Sequence, residues 1–212
     1  MDSVIEKIKE LKLVPVVKID NKKDALFLAE ALLEGGLTCA EITFRTDAAA
    51  DSIEIISKEF PEMFIGAGTL LTCEQADRAS DAGAKFFVSP GFNKTVVLHC
   101  LEKQRTFIPG IVTPGEVEQV LSLGLKTVKF FPAEAAGGIK MIKALSAPYT
   151  DVKFMPTGGI NADNILNYLA IDSVIACGGS WMVPSSLINE GNFKEIARLS
   201  KIASEIVRGA AL

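Results

Sequence analysis

Histidine is almost missing from this chain. Among 212 residues there is one, His99, next to Cys100 in a stretch that reads as a helix. A zinc site built mainly from imidazoles is therefore excluded, and so is a Ser-His-Asp triad unless His99 serves it. His99 is expected to be structural, because it falls on a helix rather than at a strand end. Cysteine is sparse as well: Cys39, Cys73, Cys100 and Cys177 are widely spaced, with no Cys-x-x-Cys pair. Four such thiols read as small buried hydrophobes in a reducing compartment, and a cytoplasmic protein is expected. No apolar run approaches a membrane span. No basic run or aromatic-basic interleaving suggests nucleic acid, and no basic amphipathic helix suggests a membrane surface. The first seven residues form an acid-containing amphipathic start, unlike a signal peptide. No Ser/Gly linker or charge run breaks the chain, so residues 1–212 are expected to form one domain.

What is present is a repeat. Hydrophobic residues make up 49% of the chain, with a net charge of −4 spread over both signs. A helix is expected over 3–11, with Val4, Ile5, Ile8 and Leu11 on one face. Apolar strands are expected at 13–19, 39–44, 63–69, 85–91, 106–110, 125–132, 152–156 and 173–177. Helical patterns fill the gaps, among them 72–82, 94–103, 138–146 and 161–170, and a last one at 193–207. Pro114 and Gly124 frame another, the usual asymmetry of helix ends. Strands alternating with helices imply parallel strands. Eight such units imply an α/β protein of the closed (β/α)8 barrel type, here with an extra N-terminal helix. A doubly wound sheet would carry Gly-x-Gly-x-x-Gly after its first strand, and that turn is absent.

In such barrels the active site lies at the carboxyl ends of the strands. The stretch Leu125-Lys126-Thr127-Val128-Lys129-Phe130-Phe131-Pro132 places a lysine inside an apolar strand. Thr127, Lys129 and Phe131 share one face. A lysine near a strand end more often snorkels to water. If both faces are covered, burial favours the free amine, a nucleophile able to form a Schiff base with a ketone. On the second strand Glu41 and Arg45 lie four apart and face the same side, Glu41 deeper. They read either as a structural ion pair or as a carboxylate that neighbouring cations equip to shuttle protons. Thr69 ends the third strand after Gly66-Ala67-Gly68, where small residues are expected to let a ligand approach the backbone. Ser89-Pro90-Gly91 and Pro109-Gly110 read as turn chemistry. Pro156-Thr157-Gly158-Gly159 and Cys177-Gly178-Gly179-Ser180-Trp181 are expected to follow the last two strands. There bare amides at a helix N-terminus would take a phosphate.

Together, Glu41-Ile42-Thr43-Phe44-Arg45-Thr46, Gly66-Ala67-Gly68-Thr69, Ser89-Pro90-Gly91, Val128-Lys129-Phe130-Phe131-Pro132-Ala133-Glu134, Pro156-Thr157-Gly158-Gly159 and Gly178-Gly179-Ser180-Trp181 resemble the 2-keto-3-deoxy-6-phosphogluconate (KDPG) aldolases. That family includes the 4-hydroxy-2-oxoglutarate (KHG) aldolases. The resemblance implies that Lys129 is the Schiff-base lysine and Glu41 the general acid/base. It implies that Arg45 and Thr69 hold the substrate carboxylate, and that Pro90, Phe131 and Thr157 line the pyruvate end. Gly158, Gly159, Gly179 and Ser180 would bind phosphate. Lys18 falls where the family has a basic residue and is the runner-up amine. The implied activity is class I cleavage of a 2-keto acid, in all expectation phosphorylated, to pyruvate and an aldehyde, with no cofactor and no metal, in a homotrimer. Three other readings keep the barrel. One is an aldolase acting mainly on 4-hydroxy-2-oxoglutarate. Another is a phosphosugar isomerase or epimerase, which would need a second carboxylate or a metal cluster not found at the strand ends. The third is a non-catalytic sugar-phosphate-binding barrel.

Overall fold

The computed structural model describes residues 2–209; Met1 and residues 210–212 of the expected domain lie outside the described residues. The helices are α1 (Asp2–Leu11), α2 (Ala25–Glu34), α3 (Ala49–Glu59), α4 (Cys73–Asp81), α5 (Lys94–Glu102), α6 (Pro114–Ser122), α7 (Gly138–Ser146), α8 (Ile165–Leu169), α9 (Ser185–Asn189) and α10 (Phe193–Gly209). The strands are β1 (Leu13–Val17), β2 (Cys39–Thr43), β3 (Phe64–Gly68), β4 (Phe86–Val88), β5 (Phe107–Ile108), β6 (Gly110–Ile111), β7 (Thr127–Phe130), β8 (Lys153–Pro156) and β9 (Cys177–Gly179). The expected alternation holds, and the helix ends have local causes. Thr72 and Thr113 cap α4 and α6 through their side chains, and Glu116 returns the bond to complete a capping box at α6.

All strand pairs are parallel, in a six-stranded sheet ordered β5-β4-β3-β2-β1-β9 and a three-stranded sheet ordered β6-β7-β8. This is a correction to one continuous ladder of eight. Pro109 divides the fifth expected strand into β5 and β6, because proline has no N–H to give a neighbour. Its carbonyl still accepts from Lys129 N at 2.9 Å. Isolated bridges, Phe154 with Val174 and Thr157 with Gly178, connect the β8 and β9 segments. The last strand is also shifted. It was expected at 173–177, but the ladder runs over Cys177–Gly179, so the glycine pair lies within the strand and not after it. The helix expected at 161–170 is reduced to Ile165–Leu169. Asn161 accepts from the amides of Asp163 and Asn164 and holds a turn there instead.

The apolar side chains sort into two clusters. The larger joins one side of the strands to the helices, with Leu13, Val17, Ala40, Ile42, Val128 and Phe130 among its members. The smaller gathers Val14, Cys39, Phe86, Val88, Ile108, Met155 and Ile175 from β1, β2, β4, β5, β8 and the approach to β9. Ile8 of α1 joins it, with Val4, Ile5 and Leu11 packed alongside. Because alternate residues of a strand face opposite ways, the smaller cluster marks the inner side shared by these strands. Its members make a floor on the same parity as Glu41 and Thr43 of β2, with Cys39 one step below Glu41 and Met155 in register with Lys129.

Candidate active site

Period-two alternation carries Glu41 and Lys129 into the interior above that floor. Glu41 lies between Val16 of β1 and Gly66 of β3, and Lys129 between Gly110 and Met155. The two side chains meet, with Lys129 Nζ donating to Glu41 Oε1 at 3.1 Å. Their side chains are 5% and 0% exposed. Lys129 Nζ also lies 5.4 Å from the centre of the Phe131 ring, a cation–π distance. Glu41 Oε2 is buried with no hydrogen-bond partner among the described residues, and so is Thr157 Oγ1. Buried polar atoms are nearly always paired, so the carboxylate oxygen and the hydroxyl are each open to a polar partner.

Space for Glu41 comes from β3. A side chain at Gly68 would overlap the Glu41 carboxylate, and one at Gly66 would overlap the Phe86 ring. The expectation that these glycines open the backbone to a ligand is therefore corrected: protein side chains fill the room they leave. Thr69 follows with φ +58°, a left-handed conformation that costs a β-branched residue about 1–3 kcal/mol. Pro90 packs its backbone against Gly110, the β6 partner of Lys129. Ser89 Oγ fixes that corner, donating to Gly91 O at 2.7 Å and accepting from Gly110 N at 3.4 Å.

Arg45 lies past the end of β2, at the surface. Its Nε donates to Thr43 Oγ1 at 3.1 Å, and Thr43 Oγ1 donates to Val17 O at 2.7 Å. Arg45, Ser180, Lys18, Trp181, Ser185 and Ser186 line one open cleft of about 440 Å³. Gly158, Gly159 and Gly179 do not line it. A side chain at Gly179 would overlap the Trp181 ring, one at Gly178 the Thr157 hydroxyl, and one at Gly159 would meet Glu134 Cγ at 2.5 Å. The glycine pairs were expected at helix N-termini. Instead α8 and α9 begin several residues later, are five residues each, and lack side-chain caps. Gly158 and Gly159 approach the loop after β7, where Ala133 N donates to Thr157 O at 2.8 Å and Glu134 N to Gly158 O at 3.1 Å. The peptide between Phe131 and Pro132 in that loop is cis. The buried Tyr168 donates to Glu134 Oε1, and burial first, then that carboxylate, push its hydroxyl pKa up.

Lys18, the runner-up amine, is 2.6 Å from Asp20 Oδ1, each side chain being 38% exposed. His99 Nε2 lies 2.9 Å from Asp77 Oδ1, which also accepts from Lys103 and Arg105. All four cysteines are free; Cys39, Cys100 and Cys177 are buried, whereas Cys73 is only partly so. Burial pushes the thiol of Cys39 up to about 12 and that of Cys100 up to about 11. Among the described residues no group of three or more His, Cys, Asp or Glu side chains is gathered as metal ligands would be. No described helix is long and apolar enough to cross a membrane. Sequence reasoning passed over Thr43, Trp181 and the Glu134–Tyr168 contact. Thr43 had a usable signal, since it has the same strand parity as Glu41 and Arg45.

A buried lysine–glutamate pair that meets across the two sheets, from β7 and β2, is the arrangement of a Schiff-base lyase. The family model for KDPG and KHG aldolase matches residues 4–199, and the chain belongs to that family. The 2-dehydro-3-deoxy-phosphogluconate aldolase of Treponema pallidum is 48% identical over 98% of this chain and 99% of its own. The KHG/KDPG aldolase of Escherichia coli K12 is 42% identical over 94% and 92%. Among solved structures, KDPG aldolase from Legionella pneumophila, with pyruvate captured as a covalent carbinolamine, superposes with a TM-score of 0.90 at 39% identity. That match covers 93% of this chain and 96% of the other. The Zymomonas mobilis ZM4 enzyme with 3-phosphoglycerate gives 0.88 at 38% identity, covering 94% of each chain.

Proposed function

We propose that this protein is a class I aldolase. It would cleave 2-dehydro-3-deoxy-6-phosphogluconate to pyruvate and glyceraldehyde 3-phosphate, and also 4-hydroxy-2-oxoglutarate to pyruvate and glyoxylate. The observation that carries the reading is the Lys129–Glu41 contact, 3.1 Å long and closed to solvent on both sides. Lys129 Nζ adds to the C2 ketone, and loss of water gives an iminium. Glu41 takes the proton of the C4 hydroxyl, the C3–C4 bond breaks, and its electron pair moves through the enamine onto nitrogen. The aldehyde leaves. Glu41 returns the proton to C3, and water releases pyruvate from Lys129. Covalent capture replaces one hard step by several easier ones. Arg45 and Thr69 would take the substrate carboxylate, a task for which a guanidinium offers two parallel donors. Pro90, Phe131 and Thr157 would enclose the pyruvate methyl end. Ser180, in the same cleft as Arg45, favours a phosphorylated substrate, whose phosphate Gly158, Gly159, Gly179 and Ser180 would bind.

The same reading makes residues 1–212 one domain, in which the two parallel sheets meet through the Phe154–Val174 and Thr157–Gly178 bridges to close an eight-stranded barrel. It makes the protein a cytoplasmic homotrimer, which light scattering against the 22.7 kDa chain mass would test. Borohydride added with pyruvate should inactivate the enzyme and add mass to the Lys129 peptide alone. Inactivation that does not depend on pyruvate would leave a binding protein in its place. Pyruvate release from the phosphorylated and unphosphorylated substrates, compared side by side, decides between the two aldolase activities.

A further inference from the structure

Thr43 sits one strand step above Glu41 and one below Arg45, on the inner face of β2, and is 1% exposed. Its hydroxyl has a single proton. That proton is committed to Val17 O at 2.7 Å, so toward Arg45 the oxygen can only accept, which it does from Nε at 3.1 Å. The carbonyl of β1 thereby sets the direction of the Thr43 lone pair, and the lone pair sets the guanidinium. Arg45 has no other side-chain hydrogen bond among the described residues.

We infer that Thr43 is a positioning residue for substrate binding: by occupying Nε it turns the two Nη groups of Arg45 toward the cleft, so that a 2-keto acid carboxylate is taken end-on. The inference rests on the proposed aldolase function and goes beyond it. A guanidinium can meet a carboxylate through its two Nη atoms or through Nε and one Nη. With Nε already bonded, only the first mode remains. An arginine reaching past the end of a strand would otherwise sample many rotamers, each a cost when substrate binds. Anchoring it to the sheet through a buried hydroxyl removes that cost in advance, as preorganisation requires.

The test uses two substitutions at Thr43, an Arg45→Lys background and two readouts. Thr43→Val keeps the branched shape and loses the hydroxyl, whereas Thr43→Ser keeps the hydroxyl and loses the methyl. The pyruvate concentration for half-maximal borohydride inactivation and the KM for cleavage are measured on each. Thr43→Val should raise both about tenfold, the lower end for a hydrogen bond to a charged group, with kcat changing far less. Thr43→Ser should return both toward the parent values. In an Arg45→Lys background, which has no Nε, Thr43→Val should add nothing further. Equal effects of Val and Ser, no effect of Val, or a full effect of Val in the Arg45→Lys background would each overturn the inference. If Thr43→Val does not fold, Thr43→Ala against Thr43→Ser makes the same comparison. A parent enzyme that pyruvate and borohydride leave active would sink the aldolase reading itself, an outcome distinguishable from these.

Discussion

Two lysine–carboxylate pairs in this molecule are alike on paper and opposite in circumstance. Lys18 and Asp20 are 2.6 Å apart, and each side chain is 38% exposed. Lys129 and Glu41 are 3.1 Å apart, and almost no solvent reaches either. The shorter contact is the ordinary one. At the surface both charges keep most of their hydration and the bond contributes little. In the interior both groups have given up water, and removing either partner leaves the other buried and unpaired. Chemistry that needs an amine to change between charged and uncharged forms is therefore placed in the interior by its surroundings, not by bond length. The Lys18 ammonium first, and then Asn189, which donates to Asp20 Oδ2, hold Asp20 below the usual carboxylate range.

The comparison can be broken most directly at the amines. Lys129→Ala should abolish cleavage and pyruvate-dependent labelling together, whereas Lys18→Ala should keep labelling on the Lys129 peptide. Label found on the Lys18 peptide of the parent enzyme would reverse the assignment. At the carboxylates, Glu41→Gln should slow cleavage by about 10²–10⁴-fold, the usual worth of a general acid/base, while Asp20→Asn stays near the parent rate. A smaller effect sharpens the packing side. Gly68→Ala must displace the Glu41 carboxylate, so it should destabilise the fold by about 1–3 kcal/mol, as overpacking does, and lower kcat as well. Thermal melts and turnover on one preparation measure both.

The smallest effect concerns a third ionic cluster. The ammonium of Lys103, the ring of His99 and the guanidinium of Arg105 hold the Asp77 carboxyl well below its usual range. A carboxyl with a depressed folded-state pKa adds stability above its unfolded pKa of about 4 and loses it as pH falls toward the folded value. Asp77→Asn should therefore lower the melting temperature slightly at pH 7. The gap from the parent should close below about pH 4. A gap independent of pH would mean that packing, not charge, is what Asp77 supplies.

How far the sequence could be read depended on which physical rule each part obeyed. Period-two parity is strict, so it placed Glu41 and Lys129 on inner faces, and applied to β2 in full it would have included Thr43. The glycines obeyed no such rule. An absent side chain looks the same whether a ligand, a phenyl ring or a carboxylate takes the space. Gly66 and Gly68 were read as ligand-facing although protein groups fill the room beside them. The last strand was misplaced for a related reason. Ser173–Cys177 has the β-rich composition, but the ladder falls on Cys177-Gly178-Gly179, where composition argues against a strand and pairing with β1 overrides it. The five-residue α9 is too short for a hydrophobic period to register.

The floor built from Ile8, Phe86, Met155 and their neighbours has a consequence for traffic. That cluster is packed shut, whereas the cleft lined by Arg45 and by Val16, the register partner of Glu41, is open. Under the proposed aldolase function, pyruvate tethered to Lys129 would lie beside that floor, with the aldehyde fragment nearer the Arg45 cleft. Cleavage must then release its products in a set sequence, aldehyde first. The reverse condensation must admit pyruvate before its partner, since an aldehyde seated early would bar the way.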